Sequence, residues 1–273
     1  MFLSYSHTRN NWGDIISPFI FKWLTGRDAT LVGYRGKDYD KEKLMMAGSC
    51  LQRAGKNTIV WGAGYIASTA KVGASPKKIC AVRGPLTKER LITQKIRCPS
   101  IYGDPALVVP FMVKVQRVVK YRVGIIPHYV DYTNAWVKKK GENANITVIN
   151  IKEGFTQVIK KVCECGTILS SSLHGLILAD AYRIPSLWIE LSNKLVGDGF
   201  KFRDYYRSIE SNIEHPVSIA KNTKIKNILP AATEKNPYKH INVKNLVDAF
   251  PYPVKEDVYS EIEKDNNNVC EEK

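Results

Sequence analysis

Short apolar runs bounded by turn residues alternate along the chain with segments whose apolar positions recur every three to four residues. The first kind predicts strands at Phe2–Ser6, Thr58–Trp61, Lys78–Val82, Val123–Pro127, Ile146–Asn150, Gly166–Ser170 and Pro185–Ile189. The second predicts helices at Ile15–Leu24, Pro85–Thr93, Thr133–Lys140, Phe155–Glu164 and Gly175–Tyr182. Strand and helix in alternation make parallel α/β units. "TIVWG" and "RVGIIP" are almost unbroken apolar runs, as strands covered on both faces require. The pattern restarts near residue 121, after the basic connector "VKVQRVVKYR". Two Rossmann-like domains are therefore expected, at 1–115 and 121–254, with parallel sheets facing a central cleft. The acidic tail, 255–273, is expected to be disordered. No internal repeat is visible in the sequence itself.

In open α/β sheets, ligands bind beyond the carboxyl ends of the strands. The residues that follow the predicted strands are therefore the candidates for chemistry. His7, Arg9, Asn10, Asn11 and Asp14 follow the first, and "GAGYIA" at 62–67 follows "TIVW". Arg83 follows "KICAV", Gly103-Asp104 closes the first half, and His128 follows "VGIIP". Ser170, Ser171, Ser172 and His174 follow "TIL", and Lys201 with Arg203 lie beyond the last strand.

Each has a plain structural reading beside the functional one. "GAGYIA" fits the GxGxxA dinucleotide pattern, but Arg83 stands where the following strand should end in an acid. Its glycines, Gly64 among them, equally suit a tight turn that brings backbone close to a ligand or a neighbour. "RGPLTKERL" starts a helix at Pro85, so Arg83 is either part of that helix start or an anion ligand. Asp14 either caps the helix behind "NNWGD" or, with Asn11, faces an acceptor hydroxyl. Lys201 and Arg203 are cations at the cleft or an ordinary solvated face. His174 follows a buried-looking strand and three serines, and Gly175 then opens a helix whose N–H groups favour an anion. An imidazole there donates a proton at neutral pH once an anionic ligand raises its pKa.

Charge sharpens the ligand class. The net charge is +15; the tail has three basic and seven acidic residues, so it carries −4 and the rest of the chain +19. Such a body attracts phosphorylated substrates, anionic headgroups or nucleic acid. The lysines are scattered and no zinc-finger or RNA-recognition motif occurs, so no nucleic-acid partner is expected. No run of 18 apolar residues and no signal-peptide pattern is present, which predicts a cytoplasmic protein. The six cysteines form no CxxC pair, and the lone CxC at Cys163 and Cys165 has no second ligand pair nearby, so no metal is expected.

The ordered series "NNWGD", "GAGY", "RGPLT", "GDPALVVP", "VGIIPHYVD", "SSSLHGLILADAYRIPSLW" and "FKFRDYY" resembles the polysaccharide pyruvyl transferase family. The likeness is to its succinoglycan-type ketal transferases and covers roughly residues 2–210. It implies a GT-B-like fold. It implies phosphoenolpyruvate as donor, with no cofactor. It implies a hexose-containing glycan acceptor, in a surface polysaccharide such as an exopolysaccharide or capsule, or in its lipid-linked precursor. Within it, His174 is the general acid and Asp14, with Asn11, faces the acceptor. His128, Ser171, Ser172 and Lys201 hold the donor, together with Arg83, and Gly64 is a further substrate-binding candidate. Several members of the family have an arginine two residues before this histidine. Ser172 stands there, which removes one expected donor ligand. Peripheral attachment at the inner face of the membrane suits both the basic body and a lipid-linked acceptor. The competing readings are a GT-B glycosyltransferase using a nucleotide sugar and a non-catalytic glycan-binding relative.

Overall fold

A computed structural model describes residues 1–4, 11–33, 40–235 and 237–270. The first half holds strands β1 (Phe2–Ser4), β2 (Thr30–Val32), β3 (Lys43–Met45), β4 (Thr58–Trp61) and β5 (Lys78–Ala81). Its helices are α1 (Trp12–Thr25), α2 (Pro85–Thr93) and the single turn α3 (Val109–Met112). The second half holds β6 (Tyr121–Ile126), α4 (Ala135–Gly141), β7 (Ile146–Val148), α5 (Phe155–Cys163), β8 (Cys165–Ser170), α6 (Leu173–Ala181), β9 (Ser186–Glu190), α7 (Phe200–Ser208) and β10 (Val217–Ser218). Helices α8 (Ile225–Ile228), α9 (Val243–Asp248) and α10 (Glu256–Cys270) follow.

The strands form two five-stranded sheets, and every pairing between strands is parallel. The first runs β2-β1-β3-β4-β5 and the second β10-β9-β8-β6-β7. Counted within its own half, each sheet has the strand order two-one-three-four-five. The sequence shows no repeat, yet the topology repeats. This order reverses direction between strands one and three, and the crevice for a ligand lies there. The crevices are therefore at the carboxyl ends of β1 and β3 in one half and of β6 and β8 in the other.

Local chemistry explains the elements. β4 is buried at all four positions, as its apolar run requires. Asn11 caps α1 by accepting from the Asp14 N–H. All nine residues of α6, "LHGLILADA", are buried, so this helix is the axis of the second half. α5 buries one stripe, Val158, Ile159, Val162 and Cys163, and leaves its lysines outside.

The halves share one core. The Trp12 N–H donates to the Ile151 carbonyl at 2.7 Å, and Trp12 Nε1 donates to the Phe155 carbonyl at 3.0 Å. The chain then crosses back beyond β10. Trp61 Nε1 donates to the Leu246 carbonyl at 2.7 Å, and Phe250 packs edge-on against Trp61 at 5.0 Å. Where the sequence predicts a disordered tail from 255, the structure has helix α10 with Val258 and Ile262 buried. Two apolar residues four apart are enough to dock it. Residues 271–273 lie outside the described residues. Among the described residues no helix is long and apolar enough to cross a membrane.

Candidate active site

A pocket of about 120 Å³ is lined by residues of both halves. The first half contributes Asn11 and Asp14 from the start of α1, and Ser49, Gln52 and Arg53 from the segment after β3. The second half contributes His128 after β6, Ser172 and His174 at the start of α6, and Lys201 in the first turn of α7. Two helix N-termini, of α1 and α6, thus open on one space. The first N–H groups of α6 have no partner within their helix, and Arg53 and Lys201 add positive charge to the wall, against the one carboxylate of Asp14.

His174 stands between the two helix ends. Its ring lies against the backbone of Gly13; a Cβ at that glycine would come within 1.9 Å of Nδ1. Only glycine allows this approach. Trp12 flanks the ring at 6.5 Å between centroids. Nε2 faces the carboxylate of Asp104 at 3.7 Å, beyond hydrogen-bond length. His174 is 9% exposed and Asp104 is sealed from solvent. Burial pushes the imidazole pKa down from its ordinary value; Asp104 opposes this, while Arg83 and Lys201 add to it. The free protein therefore holds His174 neutral near pH 7.

Asp104 sits in the segment between α2 and α3, where one carboxylate oxygen accepts the Ala106 N–H at 3.0 Å. The sequence marks the "GDP" turn but not its partnership with a histidine 70 positions on. His128 is fixed twice: its N–H donates to Ser171 Oγ at 2.9 Å, and its Nδ1 accepts from the Val130 N–H at 3.5 Å. Asp14 is held by the side-chain amide of Asn11, which donates to one of its carboxylate oxygens.

Of the residues the sequence nominates, Asn11, Asp14, His128, Ser172, His174 and Lys201 line the pocket. Arg83, Gly64, Ser171 and Arg203 do not. Arg83 is fully buried: Nε donates to Asp204 at 3.0 Å, Nη1 to Ser49 Oγ at 2.7 Å and Nη2 to the Tyr65 carbonyl at 2.7 Å. It braces the pocket wall through Ser49, and its own guanidinium is sealed from solvent. Gly64 packs against that guanidinium, since a Cβ there would meet Arg83 Cζ at 2.5 Å. No helix follows "GAGYIA", so the segment is a tight turn and not a dinucleotide loop. Ser171 is sealed and serves the His128 backbone. Arg203 pairs with Asp198 and Glu214, away from the pocket. Lys201 and Arg203 belong to a helix, α7, that is not among those the sequence predicts. His7, Arg9 and Asn10 lie outside the described residues.

The profile of the family described as "Polysaccharide pyruvyl transferase" matches residues 13–193. The chain belongs to this family. Membership carries the coarse activity with it: transfer of a pyruvyl group in polysaccharide biosynthesis. The matched span includes Asp14, Arg53, Asp104, His128, Ser172 and His174, whereas Asn11 and Lys201 fall outside it. The chain is 30% identical over 207 residues to the uncharacterized protein L143 of Acanthamoeba polyphaga mimivirus, covering 71% of this chain and 69% of that one. It is 27% identical over 208 residues to the succinoglycan biosynthesis protein ExoV of Rhizobium meliloti strain 1021, covering 73% of this chain and 61% of that protein.

Proposed function

We propose that the protein moves the pyruvyl group of phosphoenolpyruvate onto two hydroxyls of one hexose, forming a ketal and releasing phosphate. One observation carries the reading: the N-termini of α1 and α6 open on one pocket with His174 between them and Lys201 and Arg53 at its wall. A small polyanion bearing a carboxylate and a phosphate suits two converging helix ends. Two sheets of one strand order, with both crevices lining that pocket, support the GT-B-like reading with a central cleft.

The chemistry runs as a balanced sequence. The donor's methylene carbon takes a proton from the imidazolium of His174, and its C2 becomes electron-poor. A sugar hydroxyl adds there and gives its proton to Asp14. The C2–O bond to phosphate breaks, and phosphate leaves with the electron pair. A second hydroxyl of the same hexose attacks C2 and loses its proton, which closes the ketal; one of the two protons released ends on phosphate and the other restores the imidazolium. Free His174 is neutral, so the donor's own negative charge must raise its pKa before the first step. Binding and activation of the acid are then one event. The helix ends and Lys201 hold the negative charge that builds on departing phosphate.

The acceptor is a hexose of a surface polysaccharide or its lipid-linked precursor, met at the inner membrane face by the basic body of the protein. The test is incubation with phosphoenolpyruvate and a panel of nitrophenyl and lipid-linked hexosides. Phosphate release matched by product gaining one ketal-linked pyruvate supports the reading. Transfer from nucleotide sugars with phosphoenolpyruvate left intact sinks it.

A further inference from the structure

We propose that Asp104 is the positioning residue of the site: it accepts the Nε2–H of His174 and leaves Nδ1, on the Gly13 side, as the nitrogen that hands over the proton. The observation behind this is a pair of orphans. His174 Nε2 and Asp104 Oδ2 are both sealed from solvent, and neither has a hydrogen-bond partner among the described residues. They face each other at 3.7 Å. Buried polar atoms are nearly always partnered, so two orphans that face one another mark an unfinished contact. Catalytic hydrogen bonds are often long without substrate and tighten in the complex. The pair also spans the molecule. Asp104 comes from the first half and His174 from the second, so a movement of about 0.5–1 Å between them completes the bond.

The consequence is a fixed tautomer. With Nε2–H given to Asp104, the neutral ring carries its lone pair on Nδ1, the nitrogen on the Gly13 side. Once protonated, Nδ1 is the donor. Around the ring stand Asp104, Arg83 at the end of β5, Lys201 of α7, Asp14 of α1, and His128 and Arg53 on the pocket wall. Asp104 is the anion that favours the imidazolium directly; Arg83 and Lys201 disfavour it.

The destination of the proton rests on the pyruvyl-transfer reading, but the tautomer does not. Nitrogen NMR of histidine-labelled wild type reads the tautomer on the free protein, and a titration with and without inorganic phosphate reads the midpoint. We expect Nε2–H in the neutral form and a midpoint that rises with phosphate. Asp104→Asn keeps an oxygen for the Ala106 N–H and removes the charge. It should lower the midpoint, and it should move the alkaline limb of kcat to lower pH with a loss of about a hundred-fold or more. An Nδ1–H tautomer in wild type, or the same midpoint in both proteins, overturns the proposal. Should Asp104→Asn fail to fold, the wild-type tautomer decides alone. A correct tautomer in a protein that never releases phosphate removes the proposed function and leaves the pair standing.

Discussion

Arg83 and Asp204 form an ion pair with both side chains fully hidden from solvent, one in each half of the molecule. The same carboxylate accepts the Thr87 N–H at 2.8 Å and the Thr87 hydroxyl at 2.7 Å. It thereby caps helix α2 from across the interface, a task its own N-cap, Gly84, has no side chain to perform. Removing one partner strands a charge without water. Arg83→Ala or Asp204→Ala should each cost about 3–5 kcal/mol of folding free energy. Urea unfolding of the two single variants and the double variant checks this. The double should lose clearly less than the sum of the singles, because it leaves no uncompensated charge.

Gly13 and His174 are locked by contact, and the contact gives a test that leaves the imidazole in place. In Gly13→Ala the new methyl would overlap the ring, which must move. Overpacking of this kind costs about 1–3 kcal/mol, so the protein should still fold. A displacement of about 1 Å at a reacting group costs about a hundred-fold in rate. The expected outcome is a folded protein with kcat down by that factor. His174→Ala removes the acid itself and should bring a loss of about a hundred- to ten-thousand-fold, with the fold intact. Circular dichroism and phosphate release measured side by side check both.

Legibility in the sequence followed physical type. β4 and α2 run over the residues that the sequence predicts, because "TIVW" is apolar at every position and Pro85 marks a helix start without ambiguity. β3 was hidden because it opens on a lysine, Lys43, that the fold buries. With β3 unread, the pocket residues behind it, Ser49, Gln52 and Arg53, carried no signal either. α7 was hidden for another reason. In "FKFR" aromatic and charged residues alternate at period two, which imitates a strand or loop, while the helix buries Phe200, Phe202, Tyr205 and Tyr206. His174 and His128 were legible from their place after strands. Arg83 was legible as a residue but not as an occupant of the wall, because its partner lies 121 positions away. Pair contacts across two halves leave no trace in local spacing, and Asp104 with His174 is the same case.

Lys201 lies at the pocket wall in the first turn of α7, beyond the span that the family profile matches. Its role in the proposed reaction is to hold negative charge on the donor. A charged hydrogen bond contributes about 1.5–3 kcal/mol, or about ten-fold or more in affinity. Lys201→Ala should therefore raise KM for phosphoenolpyruvate by about that factor. Lys201→Arg should recover part of the loss, and KM for the acceptor should stay nearly unchanged. A variant that changes only the acceptor term would move Lys201 to the other substrate.

The buried imidazole also leaves a mark on stability, with a definite sign. The unfolded chain protonates His174 at about its ordinary value of 6.5, whereas burial holds the folded pKa below that. Above 6.5 both states are neutral and the full stability is present. As pH falls through that value the unfolded chain takes up a proton that the folded protein refuses, and stability is lost until the folded pKa is passed. Asp180 works the other way. Its carboxyl is pushed up to about 6, chiefly by burial, so folding favours its protonated form as the pH drops. The raw curve therefore mixes two slopes of opposite sign, and the difference between wild type and His174→Gln isolates the histidine. Calorimetry between about pH 7.5 and 5 should show wild type losing more Tm on acidification than the variant. Inorganic phosphate should shrink that gap, because an anion in the pocket raises the folded pKa toward the unfolded one. Parallel curves for the two proteins would mean that the imidazole titrates as if in water, and the coupling of donor binding to proton uptake would lose its basis.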